Sequence, residues 1–305
     1  MLQMMPSDLV AAASSRQPWK RRLGLHWISY VCARLLLYLV LGLGAFLILI
    51  PFAWMISASL KTIDQVFAYP PVWIPNPVRW ENYREALVGS LHPFIPRYVA
   101  NTLYVAFFSL LGEILSCSLV GFGFARLRFP GRRWLFMVVL GTMAIPYYVV
   151  MIPQFIMFNS LGWRNSFKPL IVPRYFATSG FAIFLFRQFF MRISTELFDA
   201  ARMDGCSTWG IFGRIVVPLS KPVFATLLIL GFTFYWNDFL GPMLYLSRAR
   251  LHTVSIGLAF FRGIQGVQWN HLMAASTAIM SPCILLFFFF QRLFIQGVVV
   301  TGVKG

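Results

Sequence analysis

Charge is what this 305-residue chain has least of. Asp, Glu, Lys and Arg make up 11% of it, against about 25% in an ordinary soluble domain. That scarcity excludes the usual wetted globular surface. With 59% hydrophobic residues and a mean hydropathy of +0.72, the solvent is largely lipid, so the chain reads as an integral membrane protein. The net charge of +17 does not point to nucleic acid, because the basic residues are scattered between apolar runs and form no single face. Flanking positions of membrane spans account for them better. Cys32, Cys117, Cys206 and Cys283 make no pair with metal-ligand spacing. His26, His92, His252 and His271 lie far apart, without HExxH, so no metal is assigned. A Gly-Lys pair occurs nowhere, which removes the phosphate-cradling Walker A loop, and no Gly-x-Ser-x-Gly elbow marks a hydrolase.

What the chain does have is apolar tracts. A basic tail, 1–33, precedes Leu35–Ile56, which is 22 residues without a charge, enough to cross about 30 Å of hydrocarbon. No apolar core with a small-residue cleavage site ends near residue 30, so this span is expected to remain as an uncleaved anchor. Lys61–Arg97 is proline-rich and reads as a loop outside the membrane. Tyr98–Ala125 is the second span, and Arg126–Arg133 a tight basic turn. The third, Trp134–Leu161, contains Pro146 and Pro153, tolerable where neighbouring helices satisfy the freed carbonyls. The fourth is short: 12 residues separate Arg174 from Arg187, so snorkelling arginines and Phe189–Phe190 are expected to complete it. Val223–Leu246, interrupted at Asn237-Asp238, and Leu272–Phe290 are the fifth and sixth, before a tail at 297–305.

Six spans put both termini on one side. Sixteen Lys and Arg fall on that side and ten on the other. The positive-inside bias therefore puts both termini in the cytoplasm, together with a polar island at 194–222.

That island, Glu196 to Pro222, runs ELFDAARMDGCSTWGIFGRIVVPLSKP. Ser194 or Thr195 can cap a helix with Glu196 and Asp199 near its positive end. Gly205 suits a left-handed C-terminal cap. Ser207 or Thr208 can cap a second short helix, and Pro218 and Pro222 close the segment. On the residues alone this fits an interfacial amphipathic helix as well as a docking element.

The spacing also carries a resemblance. Asp199-Ala200-Ala201, then Asp204-Gly205, nine residues and Ile215-Val-Val-Pro218 resemble the EAA loop of binding-protein-dependent ABC importer permeases. Ser59-Leu60-Lys61, Ala125–Gly131, Phe186–Phe190, Trp236–Phe239 and Gly302–Gly305 resemble the maltose-type, MalG-like sugar permease branch of that family. Asp199 replaces the usual leading Glu, Cys206 replaces a common Ala, and Ser194 stands where relatives often have Pro. The resemblance implies an all-α, six-span, MetI-like (type I importer) permease domain over 34–296, in a bacterial cytoplasmic membrane. It implies a sugar or oligosaccharide as cargo, with a sugar phosphate as the alternative. It implies that Glu196, Asp199, Ala200, Ala201, Asp204, Gly205, Ile215 and Pro218 couple the pore to an ATPase homodimer, which would bind ATP and Mg. The chain itself would be no enzyme and hold no cofactor. A second, MalF-like permease and an extracytoplasmic sugar-binding protein would complete the complex. The loop Leu246–Asn270 would face the binding protein, and the C-terminal tail the ATPase interface.

Glu113, Trp236, Asn237 and Asp238 are candidates for the translocation path, because polar groups inside a span face a cavity or a partner. For Asp238 a structural hydrogen bond competes with substrate contact, and for Glu113 a charge pair with Arg187 or a helix-end donor competes with sugar. Either carboxylate could instead carry protons in a secondary transporter. Trp134, Trp209, Trp236 and Trp269 could stack on sugars or belong to an interfacial belt. Phe287–Phe290 read as lipid-facing and bundle-packing side chains.

Overall fold

A computed structural model describes residues 19–89, 95–262 and 267–302. Most of the N-terminal tail, His92 and the final residues of the C-terminal tail lie outside the described residues. The chain forms two compact units, Met1–Met55 and Ile56–Gly305. The first contains most of helix α1 (Trp19–Ser59), whose apolar part, Tyr30–Ser59, is 30 residues long and so ample for a span.

In the second unit, α2 (Ile63–Val66) and α3 (Glu81–Val88) occupy the first loop, and α4 (Ile95–Arg126) follows. Next come α5 (Arg132–Thr142), α6 (Tyr147–Ser160), α7 (Lys168–Ile171), a 3-10 turn at Val172–Phe176, and α8 (Gly180–Phe190). The island folds as α9 (Thr195–Met203), α10 (Thr208–Ile211), a π-helical turn at Phe212–Val216, and α11 (Val217–Leu219). After it stand α12 (Lys221–Asn237), α13 (Leu240–Tyr245), α14 (Val254–Ala259) and α15 (Trp269–Gly302). Among the described residues every regular element is helical. Four helical stretches among the described residues are long and apolar enough to span a membrane, and two bent pairs raise the count to six when each is taken as one span.

The third tract departs from a continuous helix. It bends by 95° between α5 and α6. Pro146 has no amide hydrogen to continue the ladder and disfavours helical geometry at the residue before it. The chain therefore closes α5 with short-range bonds, Met143 N to Leu140 O and Ala144 N to Gly141 O, both 3.1 Å. The fourth tract is also broken, and it begins earlier than its charge spacing predicts: the span covers Lys168–Phe190, so Arg174 sits inside it rather than at its end. Helix α4 makes the break tolerable. Its Ser109 Oγ donates to Leu170 O at 3.2 Å, and Ser116 Oγ donates to Arg174 O at 2.8 Å while accepting from Ala177 N at 3.1 Å. Backbone groups freed at the break thus find side-chain partners, as lipid requires.

Small residues on α4 let its neighbours close in, the usual basis of helix packing in membranes. A Cβ on Gly121 would lie 2.7 Å from Phe186 Cβ, and one on Gly112 would meet the Tyr175 ring at 2.5 Å. Phe186, Phe190, Phe122, Cys117 and Val223 form a core there that extends into the island through Phe198, Ala201, Ile211 and Val216. A second core joins α3, α4, α12, α14 and α15 around Tyr98, Trp236 and Ala275. Ser59-Leu60-Lys61 is tied to this side: Asn82 Nδ2 donates to Ser59 O and Lys61 O, both at 2.8 Å, and Ser59 Oγ is 2.8 Å from the Tyr83 hydroxyl.

Candidate functional site

The island is built from local rules. Ser194 Oγ accepts from Glu196 N at 3.2 Å and starts α9. Gly205, at φ +78°, ends it. Gly205 N donates to Arg202 O at 3.0 Å and Cys206 N to Ala201 O at 2.9 Å, the paired bonds of a Schellman cap, which needs a left-handed residue at that point. Ser207 Oγ then accepts from Gly210 N at 3.1 Å and starts α10. The chain leaves the island through a 74° bend into α12.

Two faces result. Phe198, 4% exposed, Ala201 and Ile211 are buried against α4 and α8. Glu196, Asp199, Ala200, Asp204 and Gly205 are exposed, with Met203 at 88% and Trp209 at 71%. Asp199 and Arg202 form an exposed ion pair at 3.3 Å, which contributes little on its own. Ile215 is half-buried at the π turn and Pro218 is exposed. Of the sequence-predicted coupling residues, Ala201 therefore anchors the island, while most of the others present it.

The anchor has a second part that spacing did not reveal. Arg126, the last residue of α4, donates from Nε at 3.1 Å and from Nη2 at 2.6 Å to Phe190 O, and from Nη2 to Ile193 O as well. Its guanidinium carbon lies 4.2 Å from the Phe198 ring centroid. One side chain thus joins the end of a span, the end of α8 and the first island helix. The run Ala125–Gly131 carries part of the sequence resemblance, but nothing within it names a target more than sixty residues on.

The path candidates separate. Trp236 is 2% exposed and donates from Nε1 to Ile279 O at 3.1 Å, so it ties α12 to α15 within the core. Asn237 Nδ2 donates to Thr233 O at 2.8 Å. Asp238 caps the break between α12 and α13: Oδ1 accepts from Gly241 N at 3.1 Å and its carbonyl accepts from Ser255 Oγ at 2.5 Å. Glu113 is elsewhere. It accepts a 2.5 Å hydrogen bond from the Tyr235 hydroxyl and lines a cleft of about 260 Å³ with Arg174 and Phe234. Arg187 is not its partner and lies instead over the Phe136 ring at 4.0 Å. Among the described residues no cluster of His, Cys, Asp and Glu could hold a metal.

Residues 117–300, which include the island, α12 and most of α15, match the family described as binding-protein-dependent transport system inner membrane component. The chain belongs to that family. It is a multi-pass inner-membrane permease, a transport component of an ABC importer rather than an enzyme. Among related permeases is the arabinooligosaccharides transport system permease protein AraQ of Bacillus subtilis. It is 36% identical over 76% of this chain and 81% of its own length. The sn-glycerol-3-phosphate transport system permease protein UgpE of Yersinia pestis is 33% identical over 86% of this chain and 94% of its own. The permease fold also matches a chain of a bacterial ABC transporter that imports the acidic polysaccharide alginate. There the TM-score is 0.72 at 22% identity, with 91% of this chain and 98% of that one covered.

Proposed function

We propose that the chain is one of two related permease subunits of an ATP-driven importer that moves a sugar or oligosaccharide inward by alternating access, with the island as its coupling element. The observation that carries this reading is the island's two-faced build. Phe198, Ala201 and Ile211 fix it to the helices, while Asp199, Ala200, Met203 and Trp209 present a partly apolar, accessible surface within the same short stretch. An exposed Met and Trp beside carboxylates fit a protein partner, and in this reading the partner is an ATPase homodimer that binds ATP and Mg. Closure of that dimer would move the island, and Arg126 would pass the movement to α4 and α8. Switching requires contacts that differ between two states.

Both termini and the island are then cytoplasmic, in keeping with the charge bias. The helical elements of loop 246–262 would face a solute-binding protein on the other side. Sugar as cargo is supported by the arabinooligosaccharide relative, and the glycerol-phosphate relatives keep a sugar phosphate as the second reading. A proton carrier using Glu113 and Asp238 finds no support, since Asp238 is engaged in capping and the family works with a binding protein.

A photo-crosslinker at Met203 tests the coupling role. It is expected to attach to the ATPase chain, whereas one at the buried Phe198 is not. Adducts at 203 confined to lipid would contradict it. Met203→Cys should react with an impermeant maleimide in inverted vesicles and stay unreacted in right-side-out cells.

A further inference from the structure

The cleft around Glu113 lies well inside the membrane region. Glu113 is 13 residues from Arg126 at the island end of α4, and Tyr235 is 14 residues from Lys221 at the start of α12. Both are thus about 20 Å along their helices, at 1.5 Å per residue, within a hydrocarbon layer of about 30 Å. Transporter sites lie near this depth.

Two helices are packed so that these groups meet. Gly231 leaves room for Leu110, where a Cβ would sit 2.5 Å from Leu110 Cδ2, and the close approach brings the Tyr235 hydroxyl onto Glu113. Arg174 is fixed by its backbone, whose carbonyl accepts from Ser116. Its guanidinium carbon lies 5.2 Å from the Tyr235 ring centroid and 6.0 Å from that of Phe234. The two charges share one cleft, yet no ion pair within 4 Å joins them among the described residues. Phe181 and Phe234 complete the wall, and Phe234 is 60% exposed.

A carboxylate and a guanidinium that stay apart inside a membrane are costly facing hydrocarbon, so they face a polar occupant. Glu113 offers acceptor sites beyond the one Tyr235 uses, and Arg174 offers only donors. An anion would meet Arg174 but be opposed by Glu113. A neutral ligand with hydroxyls both donates and accepts, and its apolar face can lie on an aromatic ring. We infer that Glu113, Arg174 and Tyr235 form a subsite for one ring of a neutral sugar, with Glu113 discriminating against anionic cargo. The inference rests on the importer reading and chooses between its two substrate classes. The cleft's volume suits a single ring rather than a whole oligosaccharide.

The test uses the complex isolated through this chain and reconstituted with its ATPase and binding protein. ATP-driven uptake is measured for a panel of neutral di- and trisaccharides, sn-glycerol 3-phosphate and a trisaccharide of uronic acids. The native complex is expected to prefer a neutral sugar. Glu113→Gln should weaken that uptake about 10- to 100-fold, the range for losing a hydrogen bond to a charged group, and shift the ratio toward the anions. Arg174→Gln should weaken the neutral sugar without that shift. Tyr235→Phe, which keeps the ring, should raise KM for the sugar more than it lowers kcat, and it serves if a charge variant fails to assemble. A native complex that carries only anions overturns the inference, as does an unchanged neutral-to-anion ratio in an assembled Glu113→Gln complex. Both results leave the importer reading standing. Absence of any ATP-driven uptake from the panel ends both.

Discussion

Arg126 reaches Phe198 across more than seventy residues, its guanidinium carbon 4.2 Å from the ring centroid while its nitrogens hold the carbonyls of Phe190 and Ile193. The contact matters because an external motor can drive a pore only through something stiff. A cation over a ring contributes about 0.5–2 kcal/mol, and each charged hydrogen bond about 1.5–3 kcal/mol.

Arg126→Ala should therefore leave membrane insertion intact and reduce uptake per ATP hydrolysed at least tenfold. Phe198→Ala should do the same to a lesser degree. The double variant should fall short of the sum of the two, with an interaction of roughly 0.5–3 kcal/mol. Strict additivity in a thermal-unfolding cycle would show that the two residues act separately.

Gly205 separates backbone demand from space. No atom lies within 4 Å of a Cβ built there, so the cost of a side chain comes from φ +78° alone. Gly205→Asn, which tolerates the left-handed region, should couple nearly normally. Gly205→Val should abolish uptake and weaken recovery of the ATPase with the complex while leaving insertion intact. Normal transport by the valine variant would show that the Schellman cap is dispensable.

Gly121 tests packing rather than coupling. A Cβ would approach Phe186 Cβ to 2.7 Å and Arg187 N to 3.2 Å, so Gly121→Val should cost about 1–3 kcal/mol by overpacking α4 against α8. Thermal unfolding in detergent reads this, and an unchanged transition would mean that the two helices separate easily.

His252, in the loop at 246–262, packs between Tyr98 and Phe260. Burial lowers its pKa below the ordinary histidine value. The unfolded loop then binds a proton more readily than the folded one. Stability is present above about pH 6.5, the ordinary value, and is lost as pH falls through the folded pKa. Protection of the amides at 250–258, taken relative to their intrinsic exchange rate at each pH, should fall as the pH drops below about 6.5, and His252→Gln should remove that fall. A protection factor that does not change with pH in the native chain would contradict it.

These cases also mark what was legible in the sequence. Ser194, Gly205 and Ser207 were readable because capping is local, decided within three or four residues. The six apolar tracts were readable for the same reason. The 95° bend at Met143–Pro146 was not, because proline in a span permits both a tolerated kink and a full break, and neighbours decide. Arg174 looked like the edge of a short span, since the Tyr235 and Phe234 rings that flank it arrive some sixty residues later. Trp236 stood in a motif that suggested the path, yet its indole points to Ile279 O on another helix. A motif gives position along the chain, and only packing gives direction.

This permease is expected to move solute only when an ATPase acts on its island. Uptake into proteoliposomes that contain the complex and its loaded binding protein measures this directly. Uptake is expected to require ATP, to persist when the proton gradient is collapsed, and to stop in Gly205→Val. Uptake that continues without the ATPase and follows a proton gradient would contradict the account.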